Sequence, residues 1–225
     1  MKQTNIQFIL IIILASTSCT TSKIIKSNVK PEEISNLQIF EPISYIYYIE
    51  HGNRAFFNDS LSKISSQLIL KVSNDFFNQI KLNDEITFLD TCSKNKIKNE
   101  IELLVKTVNR YGNLYYFKLP PVMDSLLEIN GKRFGLYMAN VGFTRKAGNY
   151  YKQYAKGSTI GLLTLGLYYE TPILCNSILY VIIADAKENN VALFRKSDTG
   201  YEPLNEVGLT NQFTDIFKGY FLKRK

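Results

Sequence analysis

The most hydrophobic stretch after the N-terminal region lies between residues 157 and 196. Within it, residues 177–184 read SILYVIIA, a nearly continuous apolar run that is rich in β-branched side chains. Such a run is typical of a strand that is covered on both faces. The polar sequence AKENN follows, and residues 191–194 are apolar again. The pattern therefore predicts a central strand with a hairpin partner.

Helical periodicity occurs in four other places. In residues 61–80 the apolar positions share one predicted face, after the capping sequence Asn58-Asp59-Ser60: Leu61, Ile64, Leu68, Val72, Phe76 and Ile80. A second helix follows Ser93 and ends at Gly112, with the stripe Ile97, Ile101, Leu104, Val105 and Val108. Residues 123–129 form a shorter helix. Thr210 is predicted to cap a final helix with the stripe Phe213, Ile216, Phe217 and Tyr220.

Three further segments are predicted strands: residues 43–49, 86–89 and 132–144. Residues 145–156 are predicted to be a polar, Tyr-rich connection. Residues 157–169 fit either a helix or a strand, and three glycines weaken both assignments. We favour a short, closely packed helix there, buried against the domain or a neighbouring subunit and not inserted in a membrane.

The order of these elements indicates the fold class. Strands alternate with helices, and the chain of 225 residues is long enough for one domain with a sizeable core. We therefore predict a single α/β domain over residues 37–225, with a mixed sheet of about five strands flanked by helices.

The N-terminus indicates export. Lys2 precedes the apolar run FILIIILA at residues 8–15, which is shorter than the roughly 20 residues of a membrane-spanning helix. Small residues then lead directly into Cys19, and the segment resembles a bacterial lipoprotein signal peptide, although Ser16 replaces the usual large aliphatic residue. The resemblance implies a signal peptide over residues 1–18, acylation of Cys19 and a lipidated tether over residues 19–36. The alternative is an ordinary secretory signal with a chance cysteine.

Lipidation of Cys19 would make the bilayer a partner and give a protein that is tethered without spanning the membrane. We expect it in the cell envelope, on the outer membrane facing the periplasm, although the sequence TTSKI after Cys19 leaves the membrane and leaflet open. Removal of Lys2 lowers the formal charge from +7 to +6, so acidic surfaces are plausible partners. No nucleic-acid partner is expected.

Catalytic patterns are weak. Cys92 and Cys175 are expected to be unpaired thiols, with a disulfide as the alternative. The chain has one histidine, His51, and no CxxC, so neither a metal nor a cofactor is predicted. A Cys92–His51 nucleophile pair would indicate an envelope hydrolase, which we disfavour. The acidic pairs Glu32/Glu33, Asp84/Glu85 and Asp185/Glu188 are read as solvated surface, and Asp124 as a helix-cap residue. The glycine-flanked segment 157–161 lacks the Lys-Ser/Thr of a phosphate loop.

One stretch could form a contact surface. Basic and aromatic side chains alternate in it, which suits anionic lipid headgroups, envelope polymers or a protein partner. The alternative is a solvated loop with half-packed tyrosines. The candidate residues are Arg145, Lys146, Tyr150, Tyr151, Lys152, Tyr154 and Lys156.

A weak family resemblance completes the sequence picture. The segment LYVIIADAKENNVALF, with Asp185 and the Asn189-Asn190 turn before a closing helix, resembles the TolB-N-terminal-like or CsgG-like α/β domain of envelope lipoproteins. The segment TLGLYYETPILCNSILY is similar to a stretch that recurs in uncharacterised bacterial lipoproteins. The resemblance implies no catalytic residues and implies self-association through residues 157–169. We therefore expect a non-enzymatic binding or assembly module with an envelope protein partner or as a homo-oligomer. The alternative is an auxiliary component of an envelope transport or secretion complex.

Overall fold

A computed structural model describes residues 24–26, 29–112, 114 and 117–222; the side chains of residues 24–26 and 83–85 are outside this description. The predicted signal peptide and Cys19 lie outside the described residues. Those residues form one mixed sheet with helices on both sides, which confirms the predicted fold class. The strands are β1 (Ile24–Lys26), β2 (Leu37–Phe40), β3 (Ile43–Ile49), β4 (Phe56–Phe57), β5 (Asn83–Thr87), β6 (Phe134–Arg145), β7 (Asn176–Asp185) and β8 (Asn190–Thr199).

The helices of the described chain are α1 (Asp59–Gln79), α2 (Thr91–Tyr111), α3 (Pro121–Ile129), α4 (Asn149–Leu163) and α5 (Glu206–Phe217), together with a short 3₁₀ turn at Pro31–Glu33. The five predicted strands correspond to β3, β5, β6, β7 and β8. The sheet also contains three shorter strands, β1, β2 and β4, with two to four residues each.

The strand order is β1-β8-β7-β6-β2-β5. Strands β6, β7 and β8 form an antiparallel meander in which Met138, Val181 and Arg195 are level with one another. On its other side β6 pairs in parallel with β2 and then with β3, so these two strands lie end to end along one edge of β6. Strand β1 extends the sheet beyond β8, which means that part of the segment predicted as a tether belongs to the fold.

Two apolar layers cover the sheet. On one face, α1 and α5 pack against alternate residues of the central strands, including Met138 and Val181. On the other face, α2 and α3 cover the intervening residues, including Tyr137 and Ile182. The run SILYVIIA is therefore covered on both faces, as its composition predicts.

The predicted stripe of α2 is confirmed at Ile97, Ile101, Leu104 and Val108. That of α1 is confirmed only in part: Val72 is buried, and Leu68, Phe76 and Ile80 pack against the core while partly buried, whereas Ile64 is exposed. Helix α1 is rotated by about one residue, so that its buried face consists of Ser62, Ser65, Ile69, Val72, Ser73 and Phe77. Small serines are buried because they hydrogen-bond inside the domain. The Ile46 N–H donates to Ser62 Oγ at 2.9 Å, and Asn140 Nδ2 donates to Ser65 Oγ at 3.0 Å.

Asn140 belongs to a buried polar network that joins both helices of this layer to the sheet. Ser177 Oγ lies 3.0 Å from Asn140 Oδ1, and Gln212 Nε2 donates to the Ser177 carbonyl at 3.0 Å. These three residues and Ser65 are fully buried. Their polar atoms have partners, as buried polar groups require. The network explains why polar residues occupy core positions of α1, β6, β7 and α5.

Helix α5 begins before the predicted cap. The N-cap is Asn205, whose Oδ1 accepts a hydrogen bond from the Gly208 N–H at 2.8 Å, so the assignment of Thr210 as the cap is wrong. The predicted apolar stripe of α5 is buried. At its other end, the guanidinium of buried Arg195 donates to the carbonyls of Ile216 and Lys218. A cation at this position favours the helix C-terminus.

Candidate functional site

The stretch predicted as a polar connection has regular structure instead. Arg145 is the last residue of β6, and α4 begins at Asn149 after Gly148, which has φ of +79°. The prediction of an irregular segment is therefore wrong. Helix α4 was hard to recognise because its buried residues are Asn149, Gly157 and Gly161, which make no apolar stripe.

Arg145 holds the base of this helix. Its Nε donates to the Ile173 carbonyl at 2.6 Å, and its Nη1 donates to the Gly52 carbonyl at 3.0 Å and to Asn149 Oδ1 at 2.9 Å. Burial lowers the pKa of the guanidinium from its ordinary value. Arg145 thus connects the end of β6 with α4, with the turn after β3 and with the segment before β7. It is a positioning residue within the fold.

Lys146 is engaged at the surface. Its Nζ lies 2.8 Å from Glu50 Oε1, and both side chains are about half exposed. The hydrogen bond to Glu50 raises the pKa of Lys146, and it lowers the pKa of the Glu50 carboxyl. An exposed pair of this kind contributes little to stability.

The remaining candidate residues share α4. Tyr150 contacts Tyr151 edge-to-face at a centroid distance of 5.4 Å and stacks on Tyr154 at 6.2 Å. A hydrogen bond with Tyr169 raises the pKa of Tyr154. Lys152 and Lys156 are exposed one turn apart on the same helix. The structure thus brings five of the seven candidates together and assigns Arg145 and Lys146 to contacts at the base.

The chain runs back along α4 before it enters β7. We call residues 149–175 the α4 protrusion. The Glu170 carbonyl packs against Gly157 where a Cβ would overlap with it, and a Cβ at Gly161 would lie 2.7 Å from Tyr169 Cδ2. The close packing predicted for this segment is confirmed at Gly157 and Gly161, whereas a Cβ at Gly166 would meet no atom within 4 Å. Thr164 Oγ1 accepts a hydrogen bond from the Tyr168 N–H at 3.1 Å and closes the turn.

The end of the protrusion is apolar and exposed. We call Leu162, Leu163, Leu165 and Leu167 the leucine tip; Leu162 and Leu163 are each 78% exposed, and Leu165 and Leu167 are 92% and 91% exposed. The expectation that residues 157–169 are buried against their own domain is therefore wrong for these leucines. Burial against a neighbouring subunit stays a prediction. A contiguous exposed apolar patch usually marks an interaction site.

Two cavities lie near the protrusion and the sheet. One, of about 230 Å³, lies between α4, the returning segment and the turn at Asn53, with Lys156 and Glu170 in its wall. The other, of about 290 Å³, is a largely apolar groove between α2 and the sheet, and Lys98 Nζ lies 4.3 Å from the centroid of the Tyr45 ring at its side. Neither of these two cavities has a serine, cysteine or histidine in its lining.

The Cys92–His51 pair is not assembled. Helix α2, which carries Cys92, is fixed at its start to Glu41, since Lys94 Nζ lies 2.8 Å from Glu41 Oε1. Glu41 and His51 flank opposite ends of β3, a strand of seven residues. A strand of that length extends about 23 Å, so the two side chains belong to different ends of the sheet.

Cys175 and the acidic residue Asp185 are engaged in contacts within the fold. Both cysteines of the described chain are free thiols, as expected. Burial raises the pKa of the Cys175 thiol to about 11, and its Sγ donates to the Gly200 carbonyl. Asp185 is fully buried and accepts two hydrogen bonds of 3.0 and 2.8 Å from Arg133, so its assignment to solvated surface is wrong. Residues 157–161 lie inside α4, where they form no phosphate loop.

Glu100 is a residue that sequence reasoning missed. Its carboxylate accepts hydrogen bonds from the Val122 and Met123 N–H groups at 2.8 and 3.0 Å and so caps α3, whereas Asp124 lies within the first turn. Burial raises its pKa. The signal that could have found it is Pro120, which has no side-chain oxygen to cap the helix.

Comparison with known proteins gives distant structural similarities. No protein-family model matches the chain, and no curated protein matches it. The PelC dodecamer from Paraburkholderia phytofirmans is similar at a TM-score of 0.40 and 6% identity, over 91% of this chain and 99% of that chain. A DUF4136 family protein from Bacteroides thetaiotaomicron is similar at a TM-score of 0.34 and 8% identity, over 92% of this chain and 98% of that chain. The LpoB C-terminal domain from Salmonella enterica is similar at a TM-score of 0.28 and 8% identity, over 77% of this chain and 87% of that chain. These values carry no argument about function.

Proposed function

We propose that this chain is a lipid-anchored, non-enzymatic protein of the cell envelope that binds another envelope component through the α4 protrusion. The observation that carries the proposal is the leucine tip, whose side chains are between 78% and 92% exposed. Water contact with so much apolar surface is unfavourable, by about 25 cal/mol for each Å². A bound partner would remove that cost.

The construction of the protrusion supports a binding role. Helix α4 and the returning segment are held together by close contacts at Gly157 and Gly161, and Arg145 joins the base of the protrusion to the sheet. A binding surface that is ordered before association loses less conformational entropy when a partner arrives. Tyr151 is 74% exposed and contacts the ring of Tyr150 edge-to-face, which adds amphipathic contact area.

The small residues that lead into Cys19 support the anchor, and the positions of the reactive groups support a non-enzymatic role. His51 and Cys92 belong to different ends of the sheet, and Cys175 is buried with a raised pKa. Asp185 is held by Arg133. These groups serve the fold, and a binding or assembly role requires no catalytic chemistry.

Position-specific photo-crosslinking in the native envelope tests the binding role. A photoreactive residue at Leu165 or Tyr151 should give a discrete adduct, whereas the same residue at Ile129 should not. Ile129 is a matched control because it is 80% exposed and lies at the end of α3, before β6 begins. Equal adducts at all three positions, or none at any, would contradict the proposal.

A separate measurement tests the anchor. Cys19→Ser should remove the lipid-linked increase in mass and shift the protein out of the membrane fraction, because the acyl chains supply about 0.8 kcal/mol per buried CH₂. A variant that is still processed and membrane-bound would overturn the lipoprotein assignment without affecting the crosslinking result.

A further inference from the structure

We infer that the leucine tip sits in the interface of the same bilayer that holds the acylated Cys19, as a second and non-covalent point of attachment. The inference deepens the proposed function and rests on it for the lipid anchor. It identifies the component that contacts the tip as a lipid surface, and it replaces the expectation that residues 157–169 stay out of the membrane with contact at the interface, without spanning.

The side chains around the tip have the composition of a membrane interface. The returning segment also carries exposed apolar residues near the base of the protrusion, Ile173 and Leu174, which are 63% and 53% exposed. Tyr168 and Tyr169 are also more than half exposed. Lysines come next along α4, at Lys152 and Lys156. Tyrosines are enriched where headgroups meet acyl chains, and lysines extend their charge toward the headgroups.

The direction of β1 gives an independent argument. Strand β1 runs antiparallel to β8, with Ile24 opposite Arg195 and Lys26 opposite Leu193. The chain therefore enters β1 from the Thr199 end of β8. Thr199 is opposite Ser177 on β7, and Ser177 is opposite Gly142 on β6, close to the residue from which the protrusion departs. The chain that comes from the predicted anchor thus enters the sheet from the end that carries the α4 protrusion.

The distance along the sequence is short. Cys19 precedes Ile24 by five residues, and five residues span at most about 17 Å. Ile24 is level with Arg195, and Thr199 lies four positions further, about 13 Å along β8, so an extended chain of this length would place Cys19 just past that end of the sheet. A bilayer that holds Cys19 would then border this end, from which the protrusion that carries the leucine tip departs. Ile129 is close to the opposite end, because it precedes the first residue of β6, Phe134.

The depth of contact follows from the length of the apolar segment. Within the described part of the chain, no helix is long and apolar enough to cross a membrane. The exposed leucines occupy the last turn of α4 and the turn that follows it, where the chain reverses. Such a segment can enter the boundary between headgroups and acyl chains, where interfacial segments are buried by about 5–10 Å. A lipid surface also needs no complementary shape, which suits a projecting tip.

The chain itself provides a clean spectroscopic test, because it contains no tryptophan. Leu165→Trp places one reporter on the tip, and Ile129→Trp places a matched reporter at the other end of the sheet. Each full-length variant, processed and lipidated, is reconstituted in vesicles with or without bromine on the acyl chains. We expect Leu165→Trp to emit at shorter wavelength and to lose most of its emission to the brominated lipid, while Ile129→Trp shows neither change.

Flotation of the vesicles separates the possible failures. If the protein floats with the vesicles but Leu165→Trp is unquenched and emits as in water, the inference is wrong and the anchor stands. If the protein does not float, the anchor fails and the inference fails with it. If Leu165→Trp emission is shifted but unaffected by bromine, a second copy of the chain covers the tip and the lipid assignment is overturned.

Discussion

Two strongly apolar stretches of this chain, only eight residues apart, have opposite environments. Residues 160–169 (IGLLTLGLYY) are largely exposed to solvent, and Leu165 is 92% exposed. Residues 177–184 (SILYVIIA) include Leu179, Val181 and Ile183, which have no exposure at all. Hydrophobicity alone does not distinguish them. Burial depends on whether the fold supplies a surface for each stretch to pack on.

The physical difference lies in the neighbours. Strand β7 is hydrogen-bonded to β6 on one side and to β8 on the other, and helices cover both of its faces. Helix α4 uses its two buried glycines to hold its own returning segment. This contact orients the leucines away from the domain. A covered strand contributes to folding, whereas an uncovered tip is left for a partner.

Charge substitutions in the two stretches should give the largest difference in the free energy of unfolding. Val181→Asp places an unpaired charge in the core and should lower the free energy of unfolding by about 3–5 kcal/mol. Leu165→Asp should change it by less than about 0.5 kcal/mol, since the side chain is exposed. Denaturant titration of both variants measures the difference. Similar losses in the two variants would show that the tip packs within its own chain.

The buried polar network should give an intermediate effect. Asn140→Ala leaves Ser65 and Ser177 without their amide partner, and we expect a loss of about 1–3 kcal/mol in the free energy of unfolding. Asn130→Ala is the control, because Asn130 is exposed at the end of α3. Equal stabilities of the two variants would mean that the network contributes nothing to the packing of α1 and α5.

The smallest effect should appear at the junction of the two regions. Gly157→Ala favours a helix by about 1 kcal/mol in intrinsic propensity, but its methyl group overlaps with the Glu170 carbonyl. We expect the returning segment to loosen, so that buried Cys175 reacts faster with a thiol reagent while global stability changes little. Peptide mass spectrometry follows Cys175 separately from exposed Cys92.

Gly200→Ala is the matched control for this experiment. A Cβ at Gly200 meets no atom within 4 Å, and the Gly200 carbonyl accepts the Cys175 hydrogen bond. This variant should leave the labelling rate of Cys175 unchanged. An unchanged rate in Gly157→Ala as well would mean that the protrusion does not depend on close packing at Gly157.

Much of the fold could be predicted from local pattern. The central strand, the stripe of α2 with Gly112 as its terminus, and the α3 segment follow from periodicity and capping chemistry, which act over a few residues. The buried face of α1 could not be predicted, because Ser62, Ser65 and Ser73 are polar and their hydrogen-bond partners are distant in sequence. The helix favoured for residues 157–169 is confirmed as far as Leu163, but its first two turns, residues 149–156, were predicted as a connection because α4 buries almost no apolar side chains.

The candidate surface also has some features that the sequence predicts and others that only the tertiary structure shows. Its aromatic and basic composition, and the need for close approach at Gly157 and Gly161, are readable from the sequence. That Arg145 faces inward to three backbone and side-chain oxygens is a consequence of tertiary structure, since Gly52 and Ile173 are 93 and 28 positions away. No local pattern reveals such a contact.

The sequence by itself determined the α/β class and the covered strand β7, because each depends on composition or spacing within a short window. It is also the basis on which an export signal and acylation of Cys19 are predicted. The tertiary structure alone decided which apolar residues are left in water. Exposure is a property of the whole fold, since it depends on which faces the helices cover. Only the paired strands show that the leucine tip is exposed and from which end of the sheet the chain enters β1.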